Sequence, residues 1–210
     1  MNNKIYIAIM AASFGTTAFA DSSVTVGYQT LDVTASSGAV SVSSDGDGYL
    51  LAAMIEIPET NFGILLQYDV ISGTLAGTNW SLNSTTVVAG YRVIDTRNAE
   101  TGAGAEVLAG LGYTSTTGDI TSGGTTYTAD GDATSLVAQV KGNLSPSISL
   151  AGQLVSDIEG GSDPTIGLSL GYGVTENGSI SIGYSSNNST STSGVTTEVT
   201  GWSIGWTTSF

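Results

Sequence analysis

Four charged residues stand apart in this chain: Glu56, Arg92, Glu106 and Lys141. Each falls on the polar side of a stretch in which apolar and polar residues alternate with period two: GYLLAAMIEI, TTVVAGYRV, GAEVLAGLGY and LVAQVKG. Two of the chain's four basic residues are thereby turned to the same side as two carboxylates. An isolated charge on an enclosed face is costly, so the pattern predicts a salt-bridge network across an interior space. Such a network would plug or gate one end of that space. The alternative is four separately solvated charges in a wet interior.

Other chemistries find little material. The chain has no histidine and no cysteine, which removes an imidazole base, a thiol nucleophile, disulfides and His- or Cys-ligated metals. Serines and threonines are plentiful, but without a base they are ordinary hydroxyls. Asp130-Gly131-Asp132 offers a pair of carboxylates for acid–base work. Together with Asp45-Gly46-Asp47 it also offers weak calcium ligation. Both lack the spacing and terminal glutamate of a dedicated calcium loop and read as solvated turns. No catalytic residue, metal ligand or cofactor is expected. Lys4, Arg92, Arg97 and Lys141 face 18 acidic residues, a net charge of −14, which excludes nucleic-acid binding through phosphate neutralisation.

The elements that must carry these residues are strands. FGILLQYDV sets Phe62, Ile64, Leu66, Tyr68 and Val70 against Gly63, Leu65, Gln67 and Asp69. Ile166, Leu168, Leu170 and Tyr172 likewise oppose Gly167, Ser169, Gly171 and Gly173. Ten such segments follow one another from Val24 to Phe210. The connections alternate between tight turns (PETN, SPS, TENG) and long stretches rich in Ser, Thr, Gly and Asp. Those stretches are ASSGAVSVSSDGD, GDITSGGTTYTADGD and SSNNSTSTSGVTT. The polar faces are mainly Gly, Ser, Ala and Gln rather than Lys, Arg and Glu. That suits a confined interior better than the watered face of a β-sandwich. Long loops at one end and tight turns at the other is the pattern of a closed transmembrane barrel.

The first twenty residues read separately. One lysine, an apolar run from Ile5 to Ala12 and then Ala18-Phe19-Ala20 make the three-part pattern of a secretory signal peptide, with residues 21–210 as one barrel domain. The run is too short to span a bilayer as a helix.

The last strand carries a resemblance. Ser203, Gly205, Thr208 and Phe210 resemble the terminal-strand pattern of bacterial outer-membrane β-barrels: a closing aromatic, an apolar residue two before it, then glycine and a polar residue. Thr208 departs from the pattern, and Trp206 is placed to compensate. Size and layout resemble the small outer-membrane barrel family of the OmpA, OmpX and opacity-protein types. The resemblance implies an outer-membrane location in a Gram-negative bacterium, reached through the general secretory pathway. It also implies contact with outer-membrane lipid, insertion by the barrel-assembly machinery with periplasmic chaperones, and a monomer. Tyr49, Phe62, Tyr91, Tyr113, Tyr172, Trp202 and Trp206 all lie on the apolar side and would form two aromatic girdles. The expectation is an all-β, antiparallel up-and-down barrel of ten strands, with eight as the alternative. Its role would be structural, or that of a narrow, partly plugged, cation-favouring porin-like channel. The alternatives are a non-conducting barrel whose acidic loops serve adhesion or shielding, and a secreted soluble sandwich.

Overall fold

The computed structural model describes residues 22–75, 77–96, 98, 104–145, 147–158, 163–190 and 194–210. The expected signal peptide, residues 1–20, lies outside them, as does Arg97. Ten strands follow in chain order: β1 Ser23–Ser37, β2 Val40–Glu56, β3 Phe62–Leu75, β4 Thr78–Asp95, β5 Gly104–Ser122, β6 Thr125–Ser145, β7 Ile148–Asp157, β8 Thr165–Gly173, β9 Gly178–Thr190 and β10 Thr196–Ser209. Every strand pairs antiparallel with its sequence neighbours, and β10 closes on β1 through Ser23↔Ser209 to Ser36↔Thr196. The result is a closed ten-stranded barrel, which excludes both the eight-stranded alternative and the sandwich. Closure leaves no unpaired edge along the ring, the condition for strands surrounded by hydrocarbon.

Alternation sorts the side chains. Leu51, Leu111, Leu168 and Ile204 point outward and are each about half exposed (50%, 55%, 54% and 50%), so the outer wall is an apolar belt. Inside, packing is uneven. Leu50, Ala52, Met54, Leu65, Val88, Leu108, Val137 and Val155 form one apolar cluster in the lumen. Leu31, Ile71, Leu82 and Val199 form a second, nearer the long hairpins, against which Val33 and Trp80 pack. The opposite wall is different. Inward-facing Ser149, Ala151 and Gln153 on β7 and Ser169, Gly171 and Gly173 on β8 are only half-buried, because small and polar side chains do not reach across the lumen.

The wall is also uneven in height. About 9–11 tilted residues cross the hydrocarbon. β7 and β8, with 10 and 9 residues, barely exceed that, whereas β5 and β6 have 19 and 21. Here the structure corrects the sequence reading. The segments read as loops, including Asp45-Gly46-Asp47 and Asp130-Gly131-Asp132, are paired strands that run on past the belt and end in short turns. Gly123 and Gly124, both at positive φ (59° and 82°), make the two-residue turn between β5 and β6. Hydroxyl pairs hold the extensions together: Thr34–Ser43 at 3.0 Å, Ser36–Ser41 at 3.2 Å and Thr121–Thr126 at 2.9 Å.

One of these extensions carries a pH response. Asp32 and Asp45 face each other directly across β1 and β2, above the belt. Lost solvent, the hydrogen bond with Asp45 and that neighbour's charge, in this order, raise the Asp32 carboxyl above its ordinary 3.8. A raised acid favours the folded hairpin in its protonated form. Its contribution is therefore complete below the ordinary value and is lost as pH rises through the raised one. Amide exchange in residues 31–46, corrected for intrinsic rates, is expected to slow as pH falls through that window. Asp32→Asn is expected to abolish the dependence; an unchanged pH profile in the variant would contradict the assignment.

Candidate functional site

Arg92 lies near the tight-turn end of β4, facing inward, with only 12% of its side chain exposed. Nη2 donates to Glu56 Oε1 at 2.7 Å. Nε lies 3.2 Å from Glu106 Oε2, an ion-pair distance without the linear geometry of a hydrogen bond. Nη1 lies 3.8 Å from Asp95 Oδ2. The structure thus brings three of the four predicted charges together on β2, β4 and β5. Lys141 sits directly opposite Glu106 in the β5–β6 register, on the same inward face, and is buried.

Asp95 is the member that alternation missed. Counted by parity from Arg92 it should face lipid. A β-bulge between Arg92 and Ile94 inserts one residue, so Val93 and Ile94 both point outward (57% and 50% exposed) and Asp95 turns to the Arg92 side. Two consecutive apolar residues in Val93-Ile94, followed by an acid at i+3 from the arginine, are the signal available in the sequence.

A second polar layer was also missed. Asp69 is 2% exposed, between the two apolar clusters. Gln29 Nε2 donates to its Oδ1 at 3.0 Å, Gln67 Nε2 to its Oδ2 at 2.9 Å, and Ser84 Oγ to Oδ2 at 3.4 Å. Thr86 and Thr114 share a 2.9 Å hydroxyl bond beside it on β4 and β5. Above this layer Trp80 lies across Gly46 and Gly73, where any Cβ would collide with its indole, and its Nε1 donates to Ser44 Oγ at 2.8 Å.

The predicted aromatics all lie on the outer wall. Phe62 packs edge-on against Tyr91 toward the tight-turn end, with ring centroids 4.9 Å apart. Toward the long-hairpin end, Tyr49 meets Tyr28 at 5.9 Å and Trp202 meets Tyr184 at 4.9 Å. Tyr113 is exposed at the same rim, Tyr172 at the opposite one. On β10, Ser203 and Gly205 face inward and Thr208 outward, where its Oγ1 accepts from Trp206 Nε1 at 3.0 Å. Phe210 is 78% exposed, its N–H bonded to the Ser22 carbonyl at 2.9 Å. Asp130 accepts from Thr117 at 2.8 Å, and Asp132 hydrogen-bonds Tyr113. Each acid of the candidate catalytic pair is thus engaged by a different β5 residue. Among the described residues no three acids converge as a metal site would require.

A closed up-and-down barrel with an apolar exterior and a polar, partly packed lumen is the fold of the small outer-membrane β-barrels. Solved structures agree with that class. The transport unit of the autotransporter AIDA-I from Escherichia coli matches with a TM-score of 0.55 and 10% identity, over 96% of this chain and 95% of that one. The outer membrane protease OmpT from Escherichia coli matches at 0.51 and 12% identity, over 93% and 99%. The translocator domain of the autotransporter NalP from Neisseria meningitidis matches at 0.50 and 12% identity, over 99% and 93%. Such identities establish a shared fold. No protein-family model and no curated protein matches the chain.

Proposed function

We propose that the protein is an integral outer-membrane barrel with a narrow, cation-favouring passage along β7 and β8. The observation that carries this is the half-buried inner wall of Ser149, Gln153, Ser169 and Gly171, facing a lumen whose other half is filled by Leu50, Met54, Leu65 and Val88. The Arg92 cluster narrows the tight-turn end, and the acid excess around the lumen favours cations over anions. The reading is non-enzymatic: with neither histidine nor cysteine, the chain lacks an imidazole base and a thiol nucleophile. Export through the general secretory pathway, insertion by the barrel-assembly machinery and a monomer in lipid belong to the same proposal.

Single-channel recording in a planar bilayer under a salt gradient tests it. Small, discrete, cation-selective steps are expected. Silence from protein shown to be folded would leave the second reading, a plugged scaffold whose hairpins act outside the membrane. That reading draws on the paired extensions of β1–β2 and β5–β6, whose outer faces carry Asp32, Asp45, Asp47, Asp119, Asp130 and Asp132.

A further inference from the structure

Closure removes every strand edge inside the ring, but the wall above it is uneven, and the unevenness leaves one long edge. β5 runs beside β4 as far as Asn79↔Thr121 and is covered almost to its end. β6, on the other side of the same hairpin, pairs with β7 only up to Ser135↔Asp157. Beyond that rung, residues 125–134 have a strand on the β5 side alone. Among the described residues only Ile158 gives this edge a backbone partner, its N–H bonding the Thr134 carbonyl at 3.0 Å. Which groups lie open follows from the turn. Gly123 and Gly124 make a two-residue connection, so Ser122 and Thr125 exchange hydrogen bonds. From there the N–H and C=O groups of Thr125, Tyr127, Ala129 and Gly131 point at β5, and those of Thr126, Thr128, Asp130 and Asp132 point away from it. The Thr134 carbonyl, next in that second set, is the one Ile158 meets. Tyr113, in the aromatic rim, stands opposite Thr134, so the open row begins just above the belt and runs about 20 Å. The uncovered part of β2, residues 40–44, is shorter.

We infer that this edge is a docking site for one extended peptide segment in which apolar and basic residues alternate, added to the sheet as a further strand beside β6. A row of unpaired N–H and C=O groups is a template for such a strand. The side chains decide which strand fits. On the outer face of the row Thr128, Asp130 and Asp132 are exposed. Thr117 and Tyr113 hold the Asp130 and Asp132 carboxylates through neutral hydroxyls, which leaves their charge in place. On the lumen-side face Tyr127, 65% exposed, is followed by the small residues Ala129 and Gly131. An incoming strand turns successive side chains to opposite faces, so its apolar residues meet Tyr127 and Ala129 while its basic ones meet the acids. The same acids argue against a second copy of this chain. Two β6 edges paired together would bring Asp130 and Asp132 near their own counterparts, and like charges on neighbouring strands repel. With 4 basic residues scattered against 18 acidic ones, the chain has no basic segment of its own to offer. The edge lies outside the lumen, so the inference holds whether or not the barrel conducts.

The test is binding of a fluorescent peptide of alternating lysine and valine to the barrel purified from membranes in a zwitterionic detergent, read by anisotropy. The peptide has blocked ends and about eight residues, the reach of the open row. Saturable binding is expected, and amide exchange at Thr126, Thr128, Asp130 and Asp132 should slow when the peptide is present. A fully N-methylated version keeps the charges and side chains but has no N–H to donate, and is expected to bind at least about tenfold more weakly. Thr128→Pro removes the central open N–H and sets a ring in the path of the incoming strand. That N–H faces away from β5, so no rung of the hairpin is lost, and binding is expected to fall by a similar factor. Should Thr128→Pro fail to fold, the N-methylated peptide carries the comparison on the wild-type barrel. A version with glutamate in place of lysine is expected not to bind. Absence of binding by the lysine peptide overturns the inference. Equal binding of the N-methylated peptide, or by Thr128→Pro, overturns it too, since attraction to an acidic surface would then be the whole effect. Equal binding of the glutamate peptide would mean that the acids select nothing, and is likewise fatal. A wild-type barrel that dimerises without peptide, and loses the dimer on Thr128→Pro, would give the edge to a second copy and overturn the choice of partner.

Discussion

Replacing Arg92 with leucine is expected to cost the barrel about 3 kcal/mol, because it leaves a buried carboxylate without its central counter-charge. The loss centres on Glu106, whose side chain is 3% exposed, rather than on Glu56 or Asp95, at 28% and 34%, which can turn toward water. Glu56→Gln alone should therefore cost less, about 1 kcal/mol, because the neutral amide keeps an acceptor for Arg92 and can turn toward water. A double-mutant cycle separates the terms. If Arg92 and Glu106 act as a pair, Arg92→Leu combined with Glu106→Gln should be less damaging than the two single losses added, by about 1–2 kcal/mol. Denaturant unfolding in micelles, followed by tryptophan fluorescence, reads all four corners. Additive losses would mean that the 3.2 Å approach of Arg92 and Glu106 is incidental. The same variants bear on the passage: if the cluster narrows it, Arg92→Leu should enlarge the single-channel step even as it weakens the barrel.

Legibility followed the physics of alternation. Wherever large apolar residues recur every second position, as in Phe62 to Val70 or Ile166 to Tyr172, the strand, its two faces and even its place in a ring of ten could be read from the sequence. The hairpin extensions could not. Ser, Thr, Gly and Asp serve turns and solvated strands alike, and nothing local says that Thr34 will meet Ser43 or Thr121 meet Thr126. Pairing, not composition, makes those segments strands. The site divides in the same way. Parity alone put Glu56, Arg92 and Glu106 on one face, but parity is also what hid Asp95, because one bulged residue inverts it. Asp69 was on the correct face throughout. What stayed hidden was its neighbourhood, since Gln29 lies forty residues away on β1 and meets it only across β2, once β1, β2 and β3 have paired.

Closure is also what makes Gly48→Val the most destructive change to backbone geometry. Gly48 faces inward on β2, opposite Ile71, and a Cβ placed there would run into the Val70 carbonyl and press on the Ile71 Cα. The obstacle is main chain on the neighbouring strand, so no rotamer change relieves it; the two strands must part. Overpacking of a side-chain core costs about 1–3 kcal/mol, and a clash with backbone belongs at or beyond the upper end. Parting also exposes N–H and C=O groups at the level of the Tyr49 girdle, where an open sheet edge has few partners. Gly167→Ala is the control. Gly167 faces the lumen too, but on β8 a Cβ would meet nothing nearer than 3.7 Å, an ordinary contact, and a change within about 0.5 kcal/mol is expected. Folded barrels that resist detergent migrate differently before and after boiling, so gel mobility against temperature reports the ring directly. Gly48→Val should lose its folded band well below the wild-type temperature, while Gly167→Ala should keep it. Equal behaviour of the two would mean that β2 and β3 tolerate separation at this rung, and that hydrogen-bond closure there is not what holds the barrel.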